Sequence, residues 1–184
     1  IDSPDIPLNV SRSYLQSDSN VKKISNHISK KVADKLGSMY KKDRKDFESK
    51  WNDIEVFIQY GMLTDDKFGE RAEKFTLLKT TEEEFFTFEE YKEKVKGAQT
   101  DKENKLVYLY THNAEEHHSL IEVAKSKGYN VLLIDGPLSS HYIQKLEEKQ
   151  GVSLARLDAD TIDKLINKEE AQPSKLSKEE EDKV

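Results

Sequence analysis

One change of rhythm constrains this chain more than any other feature. From Val21 to Val95 the apolar residues recur every three or four positions. After "GAQTDKENK" they gather into short runs, "LVYLYT" at 106–111 and "NVLLID" at 130–135. The first pattern places apolar side chains on one face of a helix; the second reads as strand. "VLLI" is apolar without alternation, as in a strand covered on both faces. "VSLARLD" at 152–158 is a third, weaker strand. Between the strands lie "NAEEHHSLIEVAKSKG" and "SSHYIQKLEEKQG", each opening on a capping residue and closing on glycine, Gly128 and Gly151. Strand–helix–strand–helix–strand predicts right-handed crossovers and a parallel sheet. The expected fold class is α/β: a helical connector bundle, then a small three-layer α/β/α subdomain with a short parallel sheet.

The helical half divides further. Val21, Ile24, Ile28, Val32 and Leu36 form one stripe, with Lys22, Lys23, Lys30, Lys31 and Lys35 on the other faces. A second helix follows Asp43 with Phe47, Trp51, Ile54 and Ile58 inward and Gly61 as its C′ residue. A third begins near Thr64 and carries Phe68, Ala72 and Phe75. Short links between amphipathic helices predict a bundle. "TTEEEFF" at 80–86 reads as a loop, and "TFEE" at 87–90 as a capping box opening a helix with Phe88, Tyr91 and Val95. From Lys168 the periodicity is lost, which reads as a linker or frayed helix.

Composition removes several function classes. A net charge of −6 argues against general nucleic-acid binding. No apolar run approaches the ~18 residues of a membrane span, and no secretory h-region opens the chain. Without cysteine there is neither a disulfide nor a thiolate zinc site, which fits a cytoplasmic location.

The parallel unit invites a nucleotide reading, but its loops "HNAEE" and "DGPLSS" lack the glycine-rich turn that supplies free N–H groups to phosphate. His112, His117 and His118 lie near Glu115 and Glu116; adjacent His117 and His118 point about 100° apart on a helix, so a solvated face is the simpler reading than a shared metal. "DADTID" at 158–163 echoes a calcium loop, but Ile162 and Asp163 stand where an oxygen ligand and a glycine belong. Asp160 as a helix N-cap accounts for it. The lysine face of 22–35 reads either as a solvated surface or as an attraction for an anionic partner.

The opening stretch differs from the rest. In "DSPDIPLNVSRSYLQ" at 2–16, Pro4 and Pro7 stiffen an extended approach, Ser11 is placed to cap a helix, and Arg12 and Gln16 share a face at i and i+4; "SDSN" at 17–20 ends that helix. A guanidinium, an amide and a helix N-terminus suit a phosphate oxygen. The same residues also describe an ordinary helix start with a surface arginine.

"IDSPDIPLNVSRSYLQ" closely resembles the catalytic-loop segment in the middle domain of the 90-kDa heat-shock chaperones, in their bacterial form. The likeness continues through "VKKISNHISKKV", "FIQYGMLTD", "ERAEKFTLL", "TFEEYKEKVKGAQ" and "VLLIDGPLSSHYIQKLEE", and so covers nearly the whole chain. Ser13 and Pro4 depart from the family pattern. The resemblance implies part of an ATP-driven homodimeric chaperone. In it Arg12 reaches the γ-phosphate of ATP held, with magnesium, by an N-terminal ATPase domain, while Gln16 supports the arginine and Asn9 positions it. It implies four segments: 1–18, catalytic loop and start of its helix; 19–97, helical segment with the connector bundle; 98–167, small α/β/α subdomain; 168–184, linker toward a C-terminal dimerisation domain. Ile1 then reads as a cut within a larger middle domain, and the piece alone is expected to bind no ATP and to hydrolyse none. Unfolded clients are the other implied partners, met by His141, Tyr142 and Gln144 on the helix near 139–149. The alternative for Tyr142 is packing on the sheet with Leu146. A stand-alone interaction scaffold without catalysis is the competing function.

Overall fold

The computed structural model describes residues 19–167. They form two compact units, 19–77 with 140–142 and 78–139 with 143–167.

The first unit is helical: α1 (Ser19–Lys42), α2 (Arg44–Ser49), α3 (Trp51–Thr64) and α4 (Asp66–Ala72). Helix α1 begins inside "SDSN", the stretch predicted to break a helix. Of its predicted stripe, Val21, Ile24, Ile28 and Leu36 are half-buried and only Val32 is exposed. Val32 is 45% exposed, whereas Ala33 is buried, one position round the helix. The small residues decide this: a β-carbon at Gly37 would lie 3.3 Å from the Phe75 ring, so the Ala33–Gly37 face is where an aromatic can approach closely. That aromatic belongs to the core of the unit. The Phe47 ring meets Trp51 at 6.0 Å and Phe75 at 6.2 Å between centroids, within the range of favourable ring contacts.

The single helix expected after Asp43 is two. The Asp43 carboxylate accepts the Asp46 N–H at 3.0 Å and caps α2, and Lys50 separates α2 from α3. Gly61 does not end α3, which runs three residues further. The glycine is there because the Phe68 ring lies against it: a β-carbon would sit 2.6 Å from Cε1. Asp65 ends α3 and caps α4, accepting from Lys67 and Phe68 N–H at 3.0 and 3.1 Å.

The second unit begins with β1 (Leu78–Lys79) and β2 (Phe85–Phe86), an antiparallel pair whose second strand falls in the stretch 80–86 that reads as loop. Such two-residue strands carry no period for a sequence pattern to show. The predicted capping box opens α5 (Phe88–Val95): Thr87 Oγ1 accepts from Glu90 N–H, and Glu90 accepts from Thr87 N–H at 2.8 Å. Phe88, Tyr91 and Val95 are buried as expected. The remaining elements are β3 (Val107–Thr111), α6 (His118–Ser126), β4 (Val131–Leu133), α7 (Ser139–Gln150), β5 (Ser153–Arg156) and α8 (Ile162–Leu165). The three strands pair in parallel in the order β4-β3-β5, with Leu109 opposite both Val131 and Ala155. Val107, Leu109, Val131 and Leu157 meet Ile121, Ala124 and Ile166 in one core. Gly128 and Gly151 close the two crossover helices at φ 76° and 64°, a backbone region open to glycine without penalty.

This unit starts at Leu78, upstream of the boundary expected at residue 98. The cause is backbone pairing: Thr81 N–H donates to the Val131 carbonyl at 3.0 Å and Thr80 bridges Leu132, so the hairpin extends the sheet.

Candidate functional site

Arg12, Gln16 and Asn9, the residues that the sequence assigns to phosphate chemistry, lie outside the described residues. The described part holds three surfaces that sequence reasoning raised or missed.

The first is α7. The Ser139 hydroxyl donates to the Gly136 carbonyl at its start, and Gly151 ends it. Glu147 reaches out of the helix to accept the Leu154 N–H at 2.8 Å, which ties α7 to β5. His141 and Gln144 are exposed, three positions apart on one face, and the Gln144 amide donates to Glu148 at 3.2 Å. Tyr142 is only 2% exposed, and burial holds its phenol far above the ordinary tyrosine pKa. Its hydroxyl has no hydrogen-bond partner among the described residues. Of the three residues named for client contact, the helix offers His141 and Gln144 outward and encloses Tyr142.

The second surface was missed. Between α1 and α3 runs a groove of about 840 Å³ lined by Ile28, Val32, Leu36, Ile54 and Phe57 among others. Phe57 is 73% exposed and Tyr60 60%. A cavity of about 310 Å³ lined by His27, Lys30, Lys67 and Arg71 borders it, sharing Asn26, Ser29, Asp65, Lys67 and Phe68. The signal was present in sequence: Phe57 and Tyr60 fall off the Trp51–Ile54–Ile58 stripe, so their apolar bulk faces away from the bundle core.

The third is the carboxyl end of the parallel sheet. Here the loop after β3 consumes its own donors: Asn113 Oδ1 accepts the N–H groups of Glu115 and Glu116 at 3.2 and 3.1 Å. The neighbouring histidines do not converge. His117 turns inward to the Thr111 hydroxyl while His118 is exposed. Among the described residues no three histidine, aspartate or glutamate side chains gather as metal ligands. At "DADTID" the cap of α8 is Thr161, not Asp160 as expected; the Asp160 carboxylate instead accepts the Thr161 N–H at 2.7 Å. That bond and Lys164 favour its anion, outweighing partial desolvation, so its pKa falls below the usual carboxylate value. No helix among the described residues is long and apolar enough to cross a membrane.

Comparison with known proteins covers the full length. The model of the family described as Hsp90 protein matches residues 1–184. Chaperone protein HtpG of Bacteroides thetaiotaomicron is 55% identical over 185 residues, covering 100% of this chain and 27% of the relative. HtpG of Porphyromonas gingivalis is 53% identical over 178 residues, covering 96% and 26%. The chain thus spans about a quarter of the length of these relatives. Among solved structures, the middle domain of a Plasmodium falciparum heat shock protein superposes with a TM-score of 0.58 at 15% identity, over 78% of this chain and 61% of that one. At that identity the likeness is one of fold.

Proposed function

The chain belongs to the Hsp90 family, and on that premise we propose that it is the part of an ATP-driven chaperone that completes a nucleotide site held elsewhere in the protein. ATP and its magnesium ion are bound by an N-terminal ATPase domain. Arg12 reaches the γ-phosphate and stabilises the charge that develops there as the phosphoryl group transfers. Gln16, four residues further along the sequence, supports the guanidinium, and Asn9 helps to position it. The segments follow: catalytic loop at 1–18, helical connector from 19, small α/β/α subdomain to 167, and a linker at 168–184 toward a C-terminal dimerisation domain. The assembled protein is a cytoplasmic homodimer. The single observation that supports this reading is the family match over all 184 residues, with 55% identity to a chaperone HtpG.

On the same reading the chain alone neither binds nor hydrolyses ATP. Adding it to the isolated ATPase domain of the Bacteroides thetaiotaomicron relative tests this. Hydrolysis that rises with added chain, while calorimetry detects no ATP binding to the chain itself, is the expected result. ATP turnover by the chain alone contradicts it.

Client polypeptides meet α7 through His141 and Gln144, the exposed members of the named set.

A second reading, an interaction scaffold, rests on the exposure of Phe57 and Tyr60 beside the α1–α3 groove. Its occupant is an amphipathic segment with apolar anchors and an acidic end that meets Lys30, Lys67 and Arg71. A labelled peptide of that design should bind, and Phe57→Ser should abolish binding without loss of fold. Equal affinity for the two chains removes the groove from consideration.

A further inference from the structure

His117 occupies a niche between the ends of two strands. Its Nδ1 lies 2.7 Å from the hydroxyl of Thr111, a fully buried residue at the end of β3. Its Nε2 faces Asp158 Oδ2, beyond β5, at 3.9 Å. The imidazole is 12% exposed and Asp158 30%. Asp158 is also held by Arg156 Nε. Desolvation opposes its charge, but the Arg156 bond and nearby His117 outweigh that, and its carboxyl titrates below the usual range.

The Thr111 hydroxyl is the pivot. Besides facing His117, it lies 3.2 Å from the Asn113 carbonyl and accepts the Asn113 N–H at 3.2 Å. It has one proton to give. With a neutral ring bearing its proton on Nε2, the hydroxyl donates to Nδ1. With a protonated ring, Nδ1–H donates to the hydroxyl, whose own proton turns to the Asn113 carbonyl. Both states are satisfied with no heavy atom moving. The difference lies on the other edge, where only the protonated ring presents a full positive charge to Asp158.

We propose that His117 is a proton-operated clasp joining the start of α6 to the segment after β5, tight when the imidazole is charged and slack when it is neutral. It fastens the first turn of α6, where Ile121 N–H bonds to the His117 carbonyl at 3.0 Å. The same helix carries Leu120 and Val123, 37% and 44% exposed, so the clasp governs how firmly an apolar face is presented.

Other charged groups around the niche are accounted for. The His112 ring is 6.1 Å away between centroids, and Glu116 is bonded to Asn113. Glu115 and His118 are exposed neighbours on the same segment. Next to α8, Asp163 is paired with Lys127, and Lys164 with Asp160 at 3.5 Å. Histidine as a class changes charge between about pH 5 and 8, which sets the two conditions of the test.

Amide exchange of the whole chain, corrected for intrinsic rates, tests this at about pH 5.5 and pH 8. Ile121 should be about twofold to fivefold more protected at the lower pH, the range of a partly exposed ion pair. Asp158→Asn should remove the difference, and His117→Gln should give the slack value at both pH values. His112→Gln should leave the difference intact. Equal protection of the parent chain at the two pH values overturns the proposal. So does an undiminished difference in Asp158→Asn.

Discussion

The ring of Phe68 lies so close to Gly61 that a β-carbon added there would stand 2.6 Å from Cε1 and 2.7 Å from Cδ1. Phe68 is buried, so relieving the clash means displacing a packed ring. Gly61→Ala therefore loses more to overpacking than its gain in helix propensity of about 1 kcal/mol returns. A net loss of about 1–2 kcal/mol is expected in urea denaturation. Gly97 has nothing within 4 Å of its β-position, so Gly97→Ala should be neutral or slightly stabilising.

Gln99 is fully buried and joins two parts of the sheet unit. Its amide donates to the Val107 carbonyl at 2.9 Å and its oxygen accepts the Asn130 N–H at 2.6 Å. Gln99→Leu deprives the buried Val107 carbonyl and the partly buried Asn130 N–H of these partners. A loss of about 2–4 kcal/mol is expected from two such groups, read as a lowered midpoint with an unchanged denaturant slope.

Tyr91 and Tyr108 set a limit at alkaline pH. Their rings meet edge-on at 4.8 Å, and burial raises both phenol pKa values, Tyr108 to about 12. Burial is the larger cause for Tyr108, with Glu89 adding to it. The folded state thus favours the neutral phenol. That stabilisation is complete below the unfolded value of 10.0 and is lost as pH rises from there through about 12. Denaturation followed across that window should show falling stability, and Tyr108→Phe should flatten the fall.

On α7 the buried and the exposed side chains can be tested separately. Tyr142→Ala should cost about 3 kcal/mol or more, since it empties a fully buried site. Tyr142→Phe should be nearly neutral, because the hydroxyl it removes has no partner among the described residues. His141→Ala with Gln144→Ala should leave the melting temperature unchanged and weaken crosslinking to an unfolded model client.

The elements with strong local chemistry were legible in the sequence. The capping box at Thr87 and Glu90, the terminal glycines Gly128 and Gly151, and the unalternating "VLLI" each specify their structure within a few residues. What escaped depends on distant neighbours. Val32 fits a helical stripe, yet Gly37 and Phe75 turn the neighbouring face inward. Gly61 has the identity of a helix terminator, but its role is set by Phe68 from the next helix. Phe85 and Phe86 form a strand only because Leu78 and Lys79 lie opposite. At the candidate sites, His141 and Gln144 were placed by resemblance and are exposed, while the burial of Tyr142 needed coordinates.

The proposed role of Arg12 is open to one decisive comparison: ATP hydrolysis by the chaperone proposed to contain this chain, with Arg12 and with Arg12→Ala, alongside calorimetric ATP affinity. Turnover should fall by about a hundredfold, the worth of one transition-state donor, while affinity stays within a few fold. Unchanged turnover in the alanine variant would contradict the assignment of the guanidinium to the γ-phosphate.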